Sequence, residues 1–241
     1  MEPISQVLAR LPGRFAAELG IDVKASPEAR QQWFLAAILY GARISGKLAA
    51  RTWRVFADRE IYSPEAILEQ GWDNLVVLLD AGGYARYDFK TATKLLKVMA
   101  SLKEQYQGSL ERVHEAAADE DDLERRLQAL APGIGPATAN IFLRELRGVW
   151  AKANPGLSSM AQLAGEHLGL LPSGLSPAAA LAVLEAAWLK QPVPPHDFAD
   201  LEAALVRLGR DYCRKPQGLP CPMDRYCGRK LPDGKVGRDI N

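Results

Sequence analysis

The stretch Leu127–Leu146, LQALAPGIGPATANIFLREL, sets two glycines one residue apart between two apolar-periodic runs. Before the turn, Leu123, Leu127 and Leu130 share one helical face. After it, Ala139, Phe142, Leu143 and Leu146 form a second buried stripe. Gly133 and Gly135 admit backbone angles that other residues resist, and they let a second backbone approach closely. Pro136 suits the first position of the following helix. The expected product is a tight helical hairpin with unpaired amides around Gly133, Ile134, Gly135, Ala137 and Thr138. Amides at a helix N-terminus hold an anion, and a DNA phosphate is one such anion. A plain connection that needs glycine for geometry alone predicts the same turn.

Outside the hairpin the periodicity is helical nearly everywhere. EARQQWFLAAILYGARI is apolar on most sides, which predicts a central buried helix. SPEAILEQGWDNLVVLL opens with Ser63 as N-cap and Pro64 at the first helical position, and SPAAALAVLEAAWLK repeats that start at Ser176 and Pro177. KTATKLLKVMASLKEQY is amphipathic, and DFADLEAALVRLGRDYC is the last clear helix. Stretches rich in Pro and Gly at 154–158, 172–177 and 191–195 read as loops. The class is all-α.

At 241 residues the chain is long enough for one or two domains with a core. Its 48% hydrophobic and 24% charged residues suit a globular protein in water. No apolar run approaches the roughly eighteen residues that span a bilayer, and the N-terminus shows no basic start followed by an apolar run. A cytoplasmic protein with no membrane partner is the expectation.

Net charge is +1, so bulk charge argues neither for nor against nucleic acid. Distribution says more. After Leu205 there are nine basic residues, among them Arg207, Arg210, Arg214 and Lys215, against four aspartates. Acid gathers elsewhere, in DEDD at 119–122. The asymmetry fits one basic face; a solvated tail with extra cations fits too. All three cysteines, Cys213, Cys221 and Cys227, lie in that basic segment, which suggests a metal loop, intact or decayed.

LAPGIGPATAN resembles the hairpin of the helix-hairpin-helix DNA glycosylases, the endonuclease III superfamily. Other stretches resemble the same family in the same order. FLAAILYGARISGKLAARTWRVF is similar to its early barrel helix and the loop after it, and AGGYARYDFKTATKLL to a following glycine–tyrosine–lysine segment. LVRLGRDYCRKP with CPMDRYC is similar to its last helix and iron–sulfur loop. The resemblance implies a two-lobed fold. A six-helix barrel with the hairpin would occupy 25–147; a second lobe would join 1–24 to 148–241, with the degenerate cluster loop at 213–227. Duplex DNA, damaged DNA included, would lie in the groove between, bound by a monomer that is nucleoid-associated if the protein is bacterial.

The chain departs from that family in three places. The hairpin lysine that forms a Schiff base in the lyase-competent members is Ala137 here, which has no amine. The aspartate expected at the start of a later helix falls near Ser158, and no Asp or Glu lies between Trp150 and Leu163. Ser158 or Ser159 can still cap that helix, Ser159 with Gln162 as a capping box. The fourth cluster cysteine falls at Gly218, so a four-thiolate cluster cannot form within one chain. Cys213, Cys221 and Cys227 are metal ligands only if a cluster is present, and no cofactor is favoured.

Two carboxylates could replace the missing one: Glu145, on the second hairpin helix, and Glu166. A surface position beside Arg144 and Arg147 is the plainer expectation for Glu145. Arg43 falls where the family fills the gap left by a flipped base. Gly83 falls at its wedge position with Tyr84 beside it, as wedge or core residue. Arg86 and Lys90 are phosphate contacts or solvated cations. The favoured reading is a DNA-binding protein of this superfamily. It has no β-lyase activity, and no glycosylase activity by the usual residues. The alternatives are a monofunctional DNA glycosylase with a relocated carboxylate, and a helical scaffold for a protein partner.

Overall fold

A computed structural model describes residues 3–214 and 220–228 of the chain. In chain order the helices are α1 (Pro3–Arg10), α2 (Pro27–Tyr40), α3 (Gly46–Ala57), α4 (Pro64–Ala81), α5 (Asp88–Tyr106) and α6 (Leu110–Ala116). They continue with α7 (Glu120–Ala129), α8 (Pro136–Glu145), α9 (Ser159–His167), α10 (Pro177–Lys190) and α11 (Phe198–Leu208). No strand occurs among the described residues. No helix among them is long and apolar enough to cross a membrane.

Serine fixes most helix starts. Ser26, Ser45, Ser63, Ser109, Ser158 and Ser176 each accept a backbone N–H from the third residue on, opening α2, α3, α4, α6, α9 and α10. Each such cap contributes about 1 kcal/mol. Asp197 and Asp200 form a reciprocal box at the start of α11. The cap on α9 is Ser158, and Gln162 donates to the Leu157 carbonyl instead of completing a box with Ser159.

The chain divides into two compact units. One is Arg14–Pro155; the other joins the segment ending at Gly13 to the segment beginning at Gly156. Residues 14–24 and 148–155 therefore belong with the hairpin unit, whereas the sequence places them in the second lobe. Side-chain anchors account for both shifts. Arg14 donates to the Glu145 carbonyl, and the Phe15 and Ala16 amides donate to the Glu145 carboxylate. Arg147 holds Asn154 and the Pro155 carbonyl.

In the Arg14–Pro155 unit, α2 is the axis. Every residue from Trp33 to Leu39 is wholly buried. Burying each large apolar side chain contributes roughly 1.5–3 kcal/mol. α2 packs on α3 and α8, α4 packs on α5, and α7 on α8. Phe34 and Phe142 meet edge to face at 4.9 Å, and the Trp33 indole N–H donates to the Phe142 carbonyl at 3.1 Å. These contacts fix α8, and with it the end of the hairpin. In the other unit α11 packs on α1 and α9, and the buried Arg207 donates to the carbonyls of Leu11 and Gly13.

Candidate nucleic-acid interface

The hairpin forms as the sequence predicts. Leu123, Leu127 and Leu130 are buried on one side of it, and Ala139, Phe142, Leu143 and Leu146 on the other. Gly133 has φ +95°, a left-handed value that side-chain-bearing residues avoid. The Ile134 N–H closes the turn on the Ala131 carbonyl at 3.1 Å. Gly135 stands at the N-cap of α8 in an extended conformation and has no side chain to cap it. Pro132, Gly133, Pro136 and Ala137 are exposed, so the uncapped start of α8 meets solvent. Ile134 and Thr138 are buried; the Thr138 side chain packs where a β-carbon on Gly41 would go. Their side chains hold the hairpin, and the Ile134 amide is engaged within the turn.

Beside the hairpin is an open recess of about 610 Å³. Its walls come from the α2–α3 turn with Arg43, from α4 with Trp72, from α5 with Phe89, Lys90 and Lys94, and from the hairpin itself with Gly133. Lys90 and Lys94 are one turn apart on α5, so both amines reach the same wall. None of the described residues lining the recess carries a carboxylate. Three cations with no counter-charge in the wall make a site for an anion. Lys94 is half-buried, and burial pushes its amine below the ordinary 10.5. Arg43 and Lys90 are exposed, as a phosphate contact requires. Arg86 is exposed as well and lies over the Tyr87 ring at 5.6 Å.

Two of the candidate residues, Tyr84 and Glu145, are buried. Tyr84 is only 1% exposed; its hydroxyl donates to the Leu39 carbonyl at 2.9 Å. Burial pushes the phenol up to about 12. It is a core residue and cannot wedge between bases. Gly83 beside it is covered by the Arg51 side chain, whose Nε donates to the Gly82 carbonyl at 2.7 Å.

Glu145 is neither a surface residue nor a groove residue. It is 2% exposed, and its two carboxylate oxygens accept the Phe15 and Ala16 amides at 3.3 and 3.4 Å. Burial raises its pKa, against the opposing pull of Arg144 and Arg14. A carboxylate engaged this way ties down the backbone and is not available to water or a sugar. Glu166 is half-buried on α9, in the other unit from Ala137.

The basic C-terminal face is reduced by internal pairing. Arg207 is spent on the carbonyls of Leu11 and Gly13, and Arg210 pairs with Asp211 at 2.7 Å. Lys215, Arg229, Lys230, Lys235 and Arg238 lie outside the described residues, as does Gly218.

Cys213, Cys221 and Cys227 are half-buried, and none of them is in a disulfide. Among the described residues no three Cys, His, Asp or Glu side chains gather where one metal ion could bind. Burial raises the Cys221 thiol, which disfavours the thiolate a metal needs. Three thiols also fall short of a four-thiolate cluster. These residues do not fit the family's iron–sulfur group.

Sequence reasoning missed Trp72, Phe89 and Lys94. One signal was present: Lys94 follows Lys90 by four residues, hence on the same face of α5.

No family model matches this chain, and no curated protein matches it. A solved structure does. It is that of a trapped endonuclease III–DNA covalent intermediate, an estranged-adenine complex, 17% identical to this chain. The match covers 95% of this chain and 97% of that one, with a TM-score of 0.53. The protein has an all-α, endonuclease III-like fold.

Proposed function

We propose that this protein binds duplex DNA, damaged DNA included, through the hairpin and the adjoining cationic recess. The observation that carries this reading is the convergence of Arg43, Lys90 and Lys94 beside the uncapped start of α8, with no carboxylate in the wall. Phosphates meet amides at the hairpin and cations in the recess. The similar solved structure is an endonuclease III–DNA covalent intermediate, which supports DNA as the partner. The protein acts as a monomer.

In this reading the chain does not run the superfamily's usual chemistry. Position 137 is alanine and offers no amine. Position 158 is a serine whose hydroxyl accepts the Ala161 N–H, filling a capping role without charge. Burial of Glu145 removes one of the two carboxylates that could substitute. The alternative of a monofunctional glycosylase then rests on Glu166 alone.

The test is affinity for a duplex oligonucleotide with Arg43→Ala, Lys90→Ala and the double variant. Both side chains are exposed, so the fold should tolerate their loss. Each substitution is expected to weaken binding and to lower the salt slope by about one. Affinity unchanged in the double variant overturns the reading. Base release from a panel of damaged duplexes, read in parallel, separates binder from glycosylase: release lost in Glu166→Gln favours the enzyme.

A further inference from the structure

Two large aromatic side chains stand out of the surface at the rim of the recess. Trp72 is 39% exposed and Phe89 58%, and their ring centroids are 5.2 Å apart with planes tilted by 43°. An exposed tryptophan on a loose surface would sample several rotamers. This one is held. Its indole N–H donates to Thr93 Oγ1 at 3.0 Å, and the same hydroxyl donates to the Phe89 carbonyl at 2.9 Å. The relay ties a side chain of α4 to the first turns of α5. The backbone also breaks helical geometry just before it: Gly71 has φ +67° and ψ 178° in the middle of α4. Glycine is the residue that adopts such angles at low cost, and the break resets the direction in which Trp72 leaves the helix. The result is a preorganised aromatic surface, which loses little entropy when something lies on it.

The surroundings narrow what lies there. The wall next to the aromatic pair carries Arg43, Lys90 and Lys94 and no carboxylate. A volume of about 610 Å³ is within the range of small-ligand sites. A flat ring to stack and an anion to neutralise, within one recess, are the two halves of a nucleotide. A base inside a duplex has both faces covered by its neighbours, so stacking here requires one that is unpaired. The hairpin amides at Gly133 continue the wall and can take the next phosphate along the strand.

We propose that Trp72 and Phe89 form a stacking seat for one unpaired nucleotide of the DNA, whose phosphate is held by Arg43 and Lys90. This rests on the reading that the recess face binds DNA, and it names the kind of DNA preferred: duplex interrupted by an extrahelical nucleotide. Thr93 is a positioning residue that acts through the Trp72 indole.

The experiment compares three duplexes of one sequence by fluorescence anisotropy: fully paired, with a single-nucleotide bulge, and with the same bulge lacking its base. Wild-type protein is expected to bind the bulge roughly tenfold more tightly than the paired duplex, and the baseless bulge no better than the paired one. Trp72→Leu and Phe89→Leu should bring bulge and paired duplex to within about twofold. Thr93→Val should lower the preference partway, because the seat persists but is no longer held. Thermal unfolding checks that each variant is folded. No bulge preference in the wild type, a preference indifferent to the base, or a preference that survives loss of both aromatics overturns the stacking seat alone. Absence of binding to all three duplexes overturns the DNA-binding reading, and the seat with it.

Discussion

A β-carbon on Gly133 would lie 2.9 Å from Lys94 Cε, so the hairpin and the α5 wall of the recess are fitted to each other at this point. The glycine has two reasons to be there: its φ of +95° and the lysine stem packed against it. Gly133→Ala therefore strains the backbone and displaces Lys94. A loss of about 1–3 kcal/mol is expected from the backbone alone, seen as a drop of several degrees in the melting temperature. DNA affinity should fall with it. A variant that binds as the parent does would separate the hairpin from the interface.

Burial of the Lys94 amine predicts unusual reactivity. Its ionisation is shifted down from 10.5 by desolvation, so more of the neutral amine is present at a given pH than on an ordinary lysine. Acylation at mildly alkaline pH, read by peptide mass spectrometry, should modify Lys94 at a rate out of proportion to its half-burial. Duplex DNA should protect it. Equal labelling with and without DNA would place the amine outside the bound face.

Glu145 makes a prediction about stability with a definite sign. Burial raises its pKa in the folded protein above the ordinary 4.5. The folded state then holds the proton more tightly than the unfolded state. The stabilisation this gives is complete below 4.5 and is lost as pH rises through the folded value. Glu145→Gln should remove that part of the pH dependence, measured by denaturant unfolding from pH 4 to 8. Glu145→Ala leaves the Phe15 and Ala16 amides without acceptors and should cost about 1–3 kcal/mol. An alanine variant as stable as the parent would contradict the anchoring role.

Tyr84→Phe tests the core assignment. It deletes the hydroxyl that donates to Leu39 and should cost roughly 1 kcal/mol, with DNA affinity unchanged. Weaker DNA binding at unchanged stability would return Tyr84 to the interface.

The sequence was most legible where local rules coincide. Ser63–Pro64 and Ser176–Pro177 mark helix starts by capping and by proline geometry at once, and α4 and α10 begin there. The hairpin was legible because Gly133 and Pro136 have positional meaning. α3 was not singled out as a helix, since Gly46 and Lys47 open it with weak signals and only Ser45 announces it. The break at Gly71 was hidden by an uninterrupted apolar period on either side.

Tertiary facts were less accessible. Glu145 sits beside two arginines in sequence, which suggests a solvated face. Its burial depends on the chain at Phe15 and Ala16 returning to cover it, 130 and 129 positions away. The recess draws Arg43, Trp72, Lys94 and Gly133 from four separate elements. No spacing rule connects residues so far apart, so neither the aromatic pair nor the shielded amine could be recognised as part of one site.

The most direct test of DNA binding by this face is the salt dependence of affinity for a duplex oligonucleotide. Contacts from Arg43, Lys90, Lys94 and the hairpin predict a log–log slope of about −3 or steeper, since each neutralised phosphate contributes roughly −0.9. A slope near zero, or no measurable binding at low salt, would contradict the account.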